Sequence, residues 1–233
     1  MTTKDKEPDY VGHRQRMRQR FLLSEGRDMA DYELLELVLM QVIPRRDVKP
    51  LAKAMISRFG SFADVINAPN SELLSISGVK ESVLTILKVI KTASLRTSWQ
   101  TLAGMDAPII SNYDSMVDFC RSSMCFSDVE ELRLIYLDNR LRLLGTEIMQ
   151  KGTINTVSIH PREIIKAAMA NHAAAIIMVH NHPSGDTTPS RADIEMTRLV
   201  NEACKSVSIR LCDHLIIGRR GFFSFSSNRL LMD

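Results

Sequence analysis

The chain has 233 residues, 45% of them apolar, and a formal net charge of +3. That length suits one medium domain beside a smaller one with ordinary cores, and the charge is too small to imply a polyanionic partner by itself. No run reaches the roughly 18 apolar residues of a membrane helix, and Met1 to Asp9 alternate in charge without the apolar stretch of a signal peptide, so the expectation is a cytoplasmic protein with no membrane association.

From Val11 to about Arg96 the apolar spacing is helical. It is clearest in Tyr32 to Leu39, with Asp31 as N-cap and Pro44 in the break that follows, and in Leu51 to Phe59, ended by Gly60. This predicts a compact all-helical module over residues 1–98. Residues 99–112, with Gly104 and Pro108, are the best linker, and residues 113–233 form a second domain. The modest positive excess belongs to the first part: residues 1–100 hold 16 Lys and Arg against 12 Asp and Glu, residues 101–233 hold 14 against 15. Any contact with a polyanion is therefore expected in the helical module.

After the linker, Met116 to Cys125 reads as a helix. Leu132 to Asp138, Leu141 to Gln150 and Gly152 to Ile159 read as three strands, from their apolar and β-branched content. Pro161 opens a helix to about His172. Ala174 to Val179 is short, apolar on both faces and ends in His-Asn-His-Pro, the pattern of a buried central strand with polar groups at its C-terminal end. A helix from Ser190 to about Lys205, a strand near Val207 to Leu211 and a hairpin from Leu215 to Phe225 complete an α/β domain with a mixed sheet. The four cysteines, Cys120, Cys125, Cys204 and Cys212, contain no C-x-x-C pair and read as buried free thiols, not zinc ligands.

The chemistry concentrates between His180 and Asp193. Residues two apart on a strand share a face, so His180 and His182 can converge on one ion. Pro183 and Gly185 turn the chain, and the next helix start can bring the Asp193 carboxylate over the same ion. Two imidazoles and a carboxylate leave one position of a Zn²⁺ tetrahedron for water, as in catalytic zinc sites. Ser190 to Asp193 is at the same time a capping box, and both roles are compatible. Glu163, in the first turn of a helix, favours the dipole. His160, His172 and His214 read as local hydrogen-bonding residues, although His214 could stand behind a metal ligand.

The arrangement His-x-His, seven residues, Ser, two residues, Asp resembles the JAB/MPN metalloprotease motif, matched here by His180, His182, Ser190 and Asp193. The string His180 to Asp186, with Pro189 to Asp193 and Asp213 to Gly218, is similar to the RadC family. Gly12 to Arg16, Tyr32 to Glu36 and Arg45 to Ala52 resemble that family's N-terminal part. The resemblance implies a JAB/MPN-type, cytidine-deaminase-like mixed sheet with flanking helices, preceded by a small helical domain. It also implies one Zn²⁺ and hydrolysis of a peptide or isopeptide bond in a protein or peptide substrate. A glutamate upstream of the strand ending in Leu137-Asp138 would be general base, which alignment puts at Glu130 with Glu131 as alternative; Ser190 would assist the water or the oxyanion.

Leu73 to Lys80 followed by an apolar helix resembles a helix-hairpin-helix, with Gly78 in the turn and Lys80 where a second glycine usually stands. With Arg14, Arg16, Arg18 and Arg20, and with Arg45, Arg46 and Lys49, it would offer a phosphate-facing surface to DNA. A solvated helix face explains the same residues. The alternative function is accordingly a DNA-associated repair or recombination accessory protein whose metal site is structural or vestigial.

Overall fold

The structure, a computed structural model, describes residues 12–152 and 160–231. The strand expected between Gly152 and Ile159 lies, apart from Gly152, outside the described residues, as does the charged N-terminal segment. The chain divides into two compact units, residues 1–92 and 93–233.

The first unit contains α1 (His13–Ser24), α2 (Asp31–Val42), α3 (Lys49–Phe59), α4 (Phe62–Asn67), α5 (Asn70–Leu74) and the start of α6 (Glu81–Ala103). Its core is Leu35, Leu39, Ala52, Met55, Val65, Leu73 and Leu87, all at 0% exposure, so the three- and four-residue spacing marks the faces that meet. Ser61 caps α4 by accepting the Asp64 N–H at 3.1 Å. One buried carboxylate interrupts the apolar interior: Glu36 is 1% exposed and its Oε1 lies 2.8 Å from His13 Nε2.

The segment expected as linker, residues 99–112, is mostly structured. Its first residues finish α6, and Ile109–Asn112 form a 3₁₀ turn leading into α7 (Tyr113–Met124). The reason is apolar. Leu102 and Ile109 are both 4% exposed in the core of the second unit, and Trp99 packs on Phe119 with ring centroids 5.2 Å apart. The division between units therefore falls earlier than Gly104 suggests, inside the span of a continuous helix.

The second unit adds β1 (Glu130–Leu137), β2 (Leu143–Gly152), α8 (Pro161–Ala170), β3 (Ala175–Asn181), α9 (Arg191–Ser206), β4 (Arg210–Ile217) and β5 (Phe222–Ser224). The sheet order is β2-β1-β3-β4-β5. β3 is antiparallel to β1 and parallel to β4, so the sheet is mixed, and all seven β3 residues are buried. Alternation along the strands builds two cores. Ile135, Leu137, Ile177, Val179, Leu215 and Ile217 face α7. Leu132, Leu134, Tyr136, Ile176 and Met178 face α8 and α9, against Ile164, Ala168, Val200 and Cys204. All four cysteines are free thiols.

β4 departs from the expected strand and hairpin. The strand runs unbroken through Asp213 and His214, which are 4% and 1% exposed. Polar residues in a strand read as a break only while their partners are unknown. Here Asp213 accepts hydrogen bonds from Tyr113 Oη, Ser224 Oγ and the Ser226 N–H, which makes burial affordable.

Candidate metal centre

Four side chains meet at the C-terminal end of β3. One ligand atom from each of Glu130, His180, His182 and Asp193 lies within 4.8 Å of all the others. His180 and His182 share the α9 face through the two-residue strand period, and the His182 N–H extends the β4 pairing to the Ile217 carbonyl at 3.0 Å. Gly185, at φ +83°, then turns the chain, its N–H donating to the His182 carbonyl at 2.9 Å. This loop sits directly on the β4–β5 turn: a Cβ on Gly218 would lie 2.5 Å from the Gly185 oxygen.

The capping box is realised. Ser190 Oγ accepts the Asp193 N–H at 3.1 Å, and the Ser190 N–H donates to Asp193 Oδ2 at 2.7 Å. That fixes the carboxylate so that Oδ1 is 3.3 Å from His180 Nε2 and Oδ2 is 3.4 Å from His182 Nε2. The two Nε2 atoms are 3.0 Å apart. Ligands about 2.0–2.1 Å from a tetrahedral ion sit roughly 3.3 Å from each other, so the spacing of all three donors fits such an ion. His182 Nδ1 lies 2.7 Å from the Asp186 carbonyl; a carbonyl only accepts, so the proton is on Nδ1 and the Nε2 lone pair faces the cluster.

The electrostatics agree with shared cation binding. Burial by itself would raise the Asp193 carboxyl, but the adjacent imidazoles of His180 and His182 and the Ser190 cap outweigh it and hold the group well below the usual carboxylate range. The same carboxylate, adjacent to the ring, raises His182 against the effect of burial. Burial drives His214 in the opposite direction, well below the ordinary histidine value, which favours the neutral imidazole.

Strand alternation separates the two candidate bases. Leu132 pairs with His180 and faces α9; Glu130, two residues earlier, shares that face and enters the cluster. Glu131 points to the other side, where it is 4% exposed and bound to Arg133 at 3.0 Å, with Lys151 at 3.9 Å. Its backbone N–H donates to Asn181 Oδ1 at 2.9 Å, locking the start of β1 to the end of β3.

Two further residues adjoin the centre. Thr197, one helical turn after Asp193, and His214, on β4, are both buried and hydrogen-bonded to each other. The sequence allowed His214 a place behind a metal ligand; Thr197 carried no signal.

The residues expected to meet DNA are dispersed in role. Gly78, at φ +96°, makes the turn between α5 and α6, and Lys80 is exposed at the α6 start, its carbonyl accepting from Leu84. Arg18 is exposed on α1. Arg14 is engaged within the unit: its guanidinium donates to the carbonyls of Met40, Ile43 and Arg46 at 3.0, 2.8 and 2.7 Å, satisfying the C-terminal end of α2. Arg20 is paired with Asp28 and Glu33. Among the described residues, no helix is long and apolar enough to cross a membrane.

The mixed sheet and its donor cluster define an α/β domain with a metal-type centre at the end of the central strand. A family model, the RadC-like JAB domain, matches residues 110–230. A UPF0758 protein of Ruegeria pomeroyi is 41% identical over 225 residues, spanning 96% of this chain and 100% of the relative. The chain belongs to the RadC family, with the JAB domain in its C-terminal part and a helical N-terminal region.

Proposed function

We propose that the chain is a zinc-dependent hydrolase that cleaves a peptide or isopeptide bond. The observation that carries this reading is Glu130: a second carboxylate within 4.8 Å of a His, His, Asp donor set whose own spacing already fits a tetrahedral ion. A structural site needs four ligands that close the tetrahedron, whereas three ligands beside a separate acid-base group suit hydrolysis. His180, His182 and Asp193 would hold the ion, which when bound supplies Lewis acidity toward a water and a carbonyl oxygen. Glu130 takes the proton of the attacking water on its carboxylate and returns it to the leaving amine nitrogen. Ser190 Oγ accepts the Asp193 N–H, which leaves its own proton to give to the oxygen where negative charge develops.

The test separates binding from chemistry. Glu130→Gln is expected to retain about one Zn²⁺ per chain while hydrolysis of a peptide and isopeptide library falls by roughly 10²–10⁴-fold. Equal cleavage by both proteins would remove Glu130 from the reaction. Metal content unchanged in His180→Ala would remove the site assignment.

A further inference from the structure

His180 Nδ1 lies 2.7 Å from His214 Nε2, His214 Nδ1 lies 2.6 Å from Thr197 Oγ1, and Thr197 Oγ1 lies 2.6 Å from the Asp193 carbonyl oxygen. The direction of every bond in this chain follows from its last member. A carbonyl oxygen has no proton, so Thr197 donates its single hydroxyl proton to Asp193. The hydroxyl oxygen then accepts from His214, which puts the His214 proton on Nδ1. A neutral imidazole protonated there has a bare Nε2, and it accepts from His180 Nδ1–H. His180 is left with its lone pair on Nε2, the atom that faces His182 Nε2 at 3.0 Å and Asp193 Oδ1 at 3.3 Å. Run in reverse, the chain would place a proton on His180 Nε2, where a cation has to bind.

Among the described residues, nothing else competes for these donors. His180, Thr197 and His214 are 3%, 2% and 1% exposed, so water is not an alternative partner. The His214 ring is held flat against Phe225, centroids 4.7 Å apart and planes at 22°. A β-bulge delivers it to the correct side. Ile176 pairs with Leu211 and Ile177 with Asp213, so Cys212 is an extra residue in β4. Leu211 faces α9, and regular alternation without the bulge would turn His214, three residues on, to the α7 side.

We infer that Thr197 and His214 are positioning residues: they fix the metal-binding tautomer of His180 and tie His180 to the backbone of Asp193, joining two ligands in one closed path. The inference rests on the reading of the cluster as a metal site. It goes beyond that reading by assigning affinity to a threonine and a histidine that never touch the ion.

The experiment uses the full chain as wild type, Thr197→Val and Thr197→Ser, with Zn²⁺ affinity measured by chelator competition and histidine tautomers by long-range ¹⁵N–¹H spectra. Thr197→Val keeps the volume and removes the hydroxyl, and the Zn²⁺ dissociation constant should rise by roughly 10–100-fold; Thr197→Ser should return it to within about threefold of wild type. Zinc-loaded wild type should show His214 and His180 both protonated on Nδ1. A Thr197→Val affinity within about threefold of wild type, or a loss that serine does not reverse, overturns the inference. So does a His214 protonated on Nε2 in the loaded wild type, a result that stands even if Thr197→Val does not fold. Wild type that takes up no Zn²⁺ overturns the metal reading itself, and the inference with it.

Discussion

Adjacent residues of the same type do different work at the start of β1. Glu130 and Glu131 differ only in which face of β1 they occupy, yet one joins the donor cluster and the other is tied to Arg133. Glu36 shows the cost side of burial. Its carboxylate, 1% exposed, has His13 at 2.8 Å, and removing the imidazole strands a buried polar group. His13→Ala should lower unfolding stability by about 1–3 kcal/mol, and adding Glu36→Leu should recover much of that loss, since an apolar side chain needs no partner. Urea unfolding of the three proteins checks this; a double variant less stable than His13→Ala would show that Glu36 contributes more than its pairing with His13. At this scale, the sequence exposes what is local. His180, His182, Ser190 and Asp193 sit within fourteen residues, and strand and capping periods determine which way they face. Thr197 was not legible, and His214 only as a residue that could stand behind a ligand. One depends on a hydroxyl bonding a carbonyl four residues back along a helix, the other on a bulge that shifts alternation by one residue.

Elements place the centre through contacts between turns as much as between strands. The His182 loop and the β4–β5 turn approach so closely that a Cβ on Gly218 would lie 2.5 Å from the Gly185 oxygen and 2.7 Å from Thr187 Cγ2. The first neighbour is backbone, which cannot swing aside as a long side chain can. Gly218→Ala should therefore cost about 1–3 kcal/mol of stability and push the loop that carries His182, weakening Zn²⁺ binding as well. A thermal melt and a zinc titration read both effects; a variant unchanged in each would mean that the turn moves away freely. The sequence marks Gly218 only as one end of a hairpin turn, because a close approach between segments thirty residues apart has no local signature. The same limit explains β4. Asp213 and His214 interrupt an apolar pattern and look like a break, whereas the structure supplies each with partners from α7, α9 and the segment after β5.

In the whole molecule, the two units keep separate cores, and the helix that spans the division contributes to both in sequence. Val83 and Leu87 belong to the first core, Leu95, Trp99 and Leu102 to the second. Composition suggested a joint near Gly104 because glycine and proline stop helices, and a helix stop is easily mistaken for the edge of a folding unit. The distinction is measurable. A fragment of residues 93–233 retains every core residue of the second unit. One beginning at residue 113 loses Leu95, Trp99, Leu102 and Ile109, two of which are only 4% exposed. Truncating a single large core side chain costs about 2–5 kcal/mol, and a domain's whole stability is about 5–15 kcal/mol. The longer fragment should melt cooperatively and bind Zn²⁺, with Trp99, the chain's single tryptophan, reporting the transition by fluorescence. The shorter one should show no cooperative melt by circular dichroism and no stoichiometric metal. Cooperative folding of the shorter fragment would move the boundary back to the linker that glycine and proline suggested.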